Sequence, residues 1–192
     1  MAMRQRIRDG LALSHERLDA RMTALCLSPS TDVRRLLLVH GRALPPVVAG
    51  LRSMGGECLW PEWDGPARVS ALLQALGPDA TAVDSLQLEK FDNDAMVWGG
   101  LYALLGSRLG NRVIVRNLAA AGQPTDIAFL QPGPDDALEW RRFLARMEAA
   151  LGPTGAAISF EDAIEGALRV MGRYLEAVGH VGRVELSGAP RD

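Results

Sequence analysis

The sequence predicts an all-α fold built as one domain, and two observations carry that expectation. Apolar residues recur at helical spacing along nearly the whole chain, and alternating runs of β-branched residues are almost absent. A length of 192 residues suits a single domain with a sizeable core and is short for two independent ones. The domain is expected to span residues 1–180, with 181–192 as a loosely packed tail.

A first helix over about residues 2–25 should stop before Ser28-Pro29-Ser30-Thr31-Asp32, where a proline and capping side chains mark a turn. The second helix carries Val33, Leu36, Leu37, His40 and Leu44, and Pro45-Pro46 is expected to kink or break it. Gly55-Gly56 ends its continuation. A loop through Trp60, Pro61, Trp63 and Pro66 leads to a short helix with Val69, Leu72, Leu73 and Leu76, closed by Gly77-Pro78. The next helix begins near Asp92 or Asp94 and runs through Gly106 toward Leu118. After a Gln131-Pro132-Gly133-Pro134 loop, Asp135-Asp136 opens a helix carrying Leu138, Trp140, Phe143, Leu144 and Met147. The last helix, about 160–178, carries Ile164, Ala167, Leu168, Met171 and Leu175, and Gly179 is expected to close it.

With 48% hydrophobic and 23% charged residues the chain belongs among globular proteins, and a net charge of -2 exerts no general pull on nucleic acid. No apolar run approaches the roughly 20 residues that cross a bilayer, and Ser14-His15-Glu16-Arg17 interrupts any signal-peptide core. No membrane association and a cytoplasmic location are therefore expected. Cys26 and Cys58 form no CxxC pair and read as small core residues.

Two segments carry candidate chemistry. In the first helix Leu11, His15, Leu18, Met22 and Leu25 share one face, which predicts an inward-pointing His15. A buried imidazole must find a partner: a backbone carbonyl of the core, or haem iron on a neutral ring nitrogen. Asp19, one turn on, either orients that ring through its other nitrogen or is a solvated surface acid. Arg8, two turns back, either reaches a propionate or stands exposed near the terminus. The second segment holds Gly99, Ala103, Gly106 and Gly110 at spacings of four, three and four. Each glycine costs up to about 1 kcal/mol against alanine inside a helix, so a bare face needs a use. Close helix packing and the approach of a flat ligand are both available.

Together the two segments resemble the haem oxygenase family, especially its bacterial biliverdin-producing branch. His15-Glu16-Arg17-Leu18-Asp19 is similar to the proximal-histidine helix, and Gly100-Leu-Tyr-Ala-Leu-Leu-Gly-Ser-Arg-Leu-Gly110 to the distal helix. Weaker likeness continues near His40, from Trp63 and Arg68 to Leu76, and around Trp140-Arg-Arg-Phe143. The resemblance implies a haem oxygenase-like helical bundle in which His15 is the axial metal ligand. It also implies that Arg8, Tyr102 and Arg112 hold the haem, while Gly106, Ser107 and Gly110 form the catalytic distal face. The implied activity is haem cleavage to biliverdin, carbon monoxide and iron, with haem as both substrate and cofactor and with dioxygen and a reductase or ferredoxin as partners. Three positions depart from the pattern. Leu11 stands where many members have threonine, Leu105 where the bacterial branch has glutamate, and Ser107 where many have a water-anchoring aspartate. A non-catalytic haem carrier or sensor with the same fold is the alternative.

Overall fold

The computed structural model describes residues 3–27, 33–82, 87–125, 127–131, 133, 135–152 and 160–188. Among the described residues seven α-helices run in order: α1 (Met3–Leu27), α2 (Val33–Ser53), α3 (Gly56–Leu59), α4 (Gly65–Leu76), α5 (Asp94–Ala120), α6 (Asp136–Ala150) and α7 (Phe160–Gly188). Short 3-10 turns cover Gly77–Ala82 and Ala128–Leu130, and no strand occurs among the described residues. The all-α expectation holds. No described helix is long and apolar enough to cross a membrane.

The centre of the bundle is the α5–α7 pair, with α1 and α2 laid along α7. Helices approach this closely only where a side chain is missing. A Cβ on Gly99 would stand 1.8 Å from the Ala163 carbonyl oxygen, and one on Gly166 would stand 2.0 Å from that of Met96. Around this contact Leu36, Leu51, Leu72, Leu101, Phe143 and Met147 are sealed from solvent. Asn93 caps α5, its side-chain oxygen accepting from the Met96 amide at 3.0 Å. Gly55, in the left-handed region at φ 77°, carries the chain from α2 into α3.

Two boundaries and one burial differ from expectation. α2 continues through Pro45 and Pro46 without a break, its flanks buried by Leu44, Val47 and Val48. Burial of that apolar surface outweighs the helical hydrogen bonds that two missing N–H groups forgo. α7 does not close at Gly179 but runs to Gly188, because Ala177 and Val181 still pack on Val39 and Ala43 of α2. Cys58 is exposed on the four-residue α3 rather than in the core, since that short helix presents only Gly56 inward. Residues 181–188, expected as loosely packed tail, are thus the last turns of α7, whereas the expected turn at 28–32, the rest of that tail from 189 and the Cys26 side chain lie outside the described residues.

The segment from Gln87 to Asp92 has no regular structure but is held on both sides. Arg173 reaches Glu89 at 2.5 Å and the Gln87 carbonyl at 3.1 Å, and Arg169 bonds the Lys90 carbonyl at 2.6 Å and Asp92 at 3.2 Å. From the other side the Glu89 amide donates to the Pro46 carbonyl at 3.2 Å. Both arginines are tethers.

Candidate functional site

α1 lies on α7 through Ile7 and Leu11, both nearly inaccessible, while Leu18, Met22 and Leu25 are half-buried. At about 100° per residue, Arg4, Arg8, Ala12, His15 and Asp19 fall together on the adjoining flank. All five are exposed. His15 does not point inward: its side chain is 63% exposed, and Nδ1 pairs with the Asp19 carboxylate at 2.8 Å. The four-three spacing places His15 at the margin of the apolar stripe, and the margin faces away from α7. Asp19 meets both of its readings, a surface acid 64% exposed that also holds the ring through Nδ1, and this leaves Nε2 as the nitrogen without a partner among the described residues.

This flank borders α5 at its N-terminal end. Burial raises the Tyr102 phenol above its ordinary value, while the nearby charges of Arg8 and Arg4 pull it down. Tyr102 in turn packs on Trp140 of α6 with ring centroids 5.0 Å apart. Arg8 itself donates to Gln5 at 2.7 Å, and Arg112 is exposed.

The glycine face of α5 divides into two uses. Gly99 is consumed by packing on α7, so close helix contact explains it. One turn past Tyr102 a Cβ on Gly106 would only touch the Trp140 ring, at 3.4 Å, and one on Gly110 would meet nothing within 4 Å among the described residues. Packing therefore does not account for Gly110.

The polar side of the same stretch opens on a cleft of about 400 Å³, mouth included, between α2, α4, α5 and α7. His40, Arg68, Ser107, Asn111 and Tyr174 line it, together with the Asp64–Arg108 ion pair. Ser107 donates its hydroxyl to the Leu104 carbonyl at 2.7 Å, leaving its lone pairs to accept. His40 Nδ1 shares a 3.1 Å hydrogen bond with the Tyr174 hydroxyl, and its buried Nε2 has no partner among the described residues. Arg68 lies over the Phe129 ring and donates to the Phe129 carbonyl at 3.1 Å. Burial also holds the carboxyl of Glu139, a partner of Arg108, above its ordinary range, against the pull of that arginine.

Burial first, and the Arg68 charge second, push His40 down from its ordinary 6.5 to about 3. The unfolded chain thus binds a proton between those values that the native chain refuses. Stability from the neutral ring is complete above about pH 6.5 and is lost as pH falls through the window. We predict an acid slope of up to about 1.4 kcal/mol per pH unit from this group. Urea unfolding at about pH 7 and about pH 4.5 should show His40→Gln flattening that slope, and an unchanged slope refutes the assignment.

The structure therefore brings Ser107 together with His40, Arg68 and Asn111, and places Arg8 beside Tyr102. It leaves His15, Gly110 and Arg112 on open surface. His40 is the residue that sequence reasoning passed over. Its signal was present: Leu36, His40 and Leu44 stand four apart on a helix that is apolar over most of its surface.

No family model matches the chain. A curated haem oxygenase of Xanthomonas campestris is 32% identical over 114 residues, which is 58% of this chain and 67% of the relative. A haem oxygenase of Neisseria meningitidis, solved with NO and CO bound, superposes with a TM-score of 0.69 at 18% identity, covering 94% of this chain and 92% of its own. The structural likeness shows the fold, and the curated relative extends it to ancestry: the chain belongs to the haem oxygenase family.

Proposed function

We propose that the protein binds haem and cleaves it at a meso carbon to biliverdin, carbon monoxide and iron, consuming dioxygen and electrons from a reductase or ferredoxin. One observation carries this reading. An exposed imidazole, oriented through Nδ1 by Asp19, shares a flank of α1 with cationic Arg8, and that flank adjoins the helix on which Gly110 leaves backbone bare. These residues suit a flat, dianionic iron macrocycle, which when bound supplies both the dioxygen-binding metal and the carbon framework to be oxidised.

The chain's own groups then divide the work. Asp19 accepts from Nδ1–H of His15 and so fixes the tautomer that presents Nε2 to a metal. Arg8 and Arg112 offer guanidinium groups to propionates. Gly106 and Gly110 let a ring plane approach helix backbone to a distance no side chain would allow. Ser107 stands in place of the family's aspartate and works as an acceptor without a charge. The neutral His40, Arg68 and Asn111 add donors and acceptors in numbers that hold water between them. Leu105, at the other departure, is 4% exposed, a place where a carboxylate would be desolvated at a cost of several kcal/mol.

Hemin titration followed by reductive turnover tests the proposal. A saturable 1:1 complex that yields biliverdin is expected, and no complex rejects the reading. The uncharged Ser107, its proton committed to Leu104, favours one second reading, a haem carrier, and a stable complex that never yields product selects it.

Gly110 provides a further check in which stability and binding move oppositely. Gly110→Leu should leave the melting temperature equal or higher, since leaving glycine gains up to about 1 kcal/mol in a helix. Hemin affinity should fall at least roughly tenfold, about 1.4 kcal/mol. Unchanged affinity means that the haem lies elsewhere.

A further inference from the structure

We infer that Arg108 is a positioning residue that fixes where the Gly106–Gly110 stretch stands over bound haem, and thereby which meso carbon is presented for attack; the second clause rests on the haem-cleaving reading. The stretch has little else to anchor it. Gly106 and Gly110 have no side chains, the Ser107 hydroxyl bonds its own helix, and Leu109 is exposed. Arg108 differs from these neighbours, with its side chain only 12% exposed and its guanidinium reaching two other segments. Nη2 meets Asp136 Oδ1, at the first residue of α6, at 2.5 Å, and Nη1 meets Asp64, just before α4, at 3.2 Å. Nη1 also reaches Glu139, in the first turn of α6, at 3.2 Å.

The receiving end is built for this contact. The Asp136 carboxylate is 4% exposed and also accepts the Gly133 amide at 2.7 Å. A Cβ on Gly133 would come within 2.8 Å of that carboxylate and 3.4 Å of the guanidinium, so the turn before α6 is shaped around the pair. One cation among three carboxylates, two from the first turn of α6 and one from the start of α4, ties a point on α5 to both elements, as a planar five-donor fork can and a point charge cannot. The point lies midway between the two glycines, where helical backbone is softest.

Removing the charge leaves a buried carboxylate unpaired, so Arg108→Met destabilises the fold for reasons unrelated to positioning. Arg108→Lys keeps the charge and gives up the fork, and is the informative variant. In the full-length, haem-free protein, hydrogen exchange of amides at 106–112 should speed up roughly tenfold, with 96–103 unchanged. With haem bound and turned over, the biliverdin isomer ratio should shift at least roughly threefold while 1:1 hemin binding persists. Native exchange at 106–112, acceleration spread evenly over the chain, or an unaltered isomer ratio each overturns the inference. If the native protein fails to bind hemin, the haem reading falls instead, and the exchange measurement still decides whether Arg108 pins the stretch.

Discussion

Replacing His15 with alanine is expected to lower haem turnover on the order of 100-fold or more, since even the loss of a ligand's outer partner costs about 10–100-fold. The variant should fold as well as the native protein. His15 is 63% exposed, and its partner Asp19 is 64% exposed, so the pair contributes little to stability. That separation makes the experiment decisive: a Soret band displaced from native in a chain of native melting temperature isolates ligation. Added imidazole should restore part of the native spectrum. Asp19→Asn should keep the ligand but loosen its tautomer, with a smaller loss of turnover. A native Soret band in His15→Ala would move the ligand elsewhere and end the proposal for this helix.

The largest effect on stability is expected at Gly99. Gly99→Ala places a methyl 1.8 Å from the Ala163 carbonyl oxygen, and both are backbone-anchored, so α5 and α7 must separate. Overpacking of this kind costs about 3 kcal/mol, against a gain of up to about 1 kcal/mol in helix propensity. For a chain of this size a net loss of about 2–3 kcal/mol lowers the melting temperature by roughly 4–10 °C. Calorimetry on Gly99→Ala and Gly110→Ala side by side should show a fall for the first and none for the second. Equal responses would mean that the two glycines serve the same purpose, contrary to their surroundings.

The helices were largely legible in the sequence because their apolar periods are long and their ends carry proline or glycine. Legibility failed where tertiary packing overrode a local signal. Pro45-Pro46 reads as a break, yet α2 buries Leu44, Val47 and Val48 across it and stays whole. Gly179 reads as a stop, yet Val181 still has α2 to pack against. The site shows the same division. Asp19 could be paired with His15 from their spacing alone, because four residues in a helix fix the distance. Which way His15 faces could not, since a residue at the edge of a stripe is buried or exposed according to what packs beside it. An inward imidazole does occur, at His40, whose apolar neighbours Leu36 and Leu44 are both buried. The three carboxylates lie up to 44 residues from Arg108, and no local pattern joins them to it.

The stretch from Gln87 to Asp92 is bolted down by two guanidinium groups on one side and a main-chain bond on the other. Irregular chain of this kind would ordinarily be the first place for a protease to cut or for an insertion to be accepted. Here nicking or lengthening the stretch would pull on α2 and α7 together, so it is expected to resist limited digestion and to behave as part of the frame.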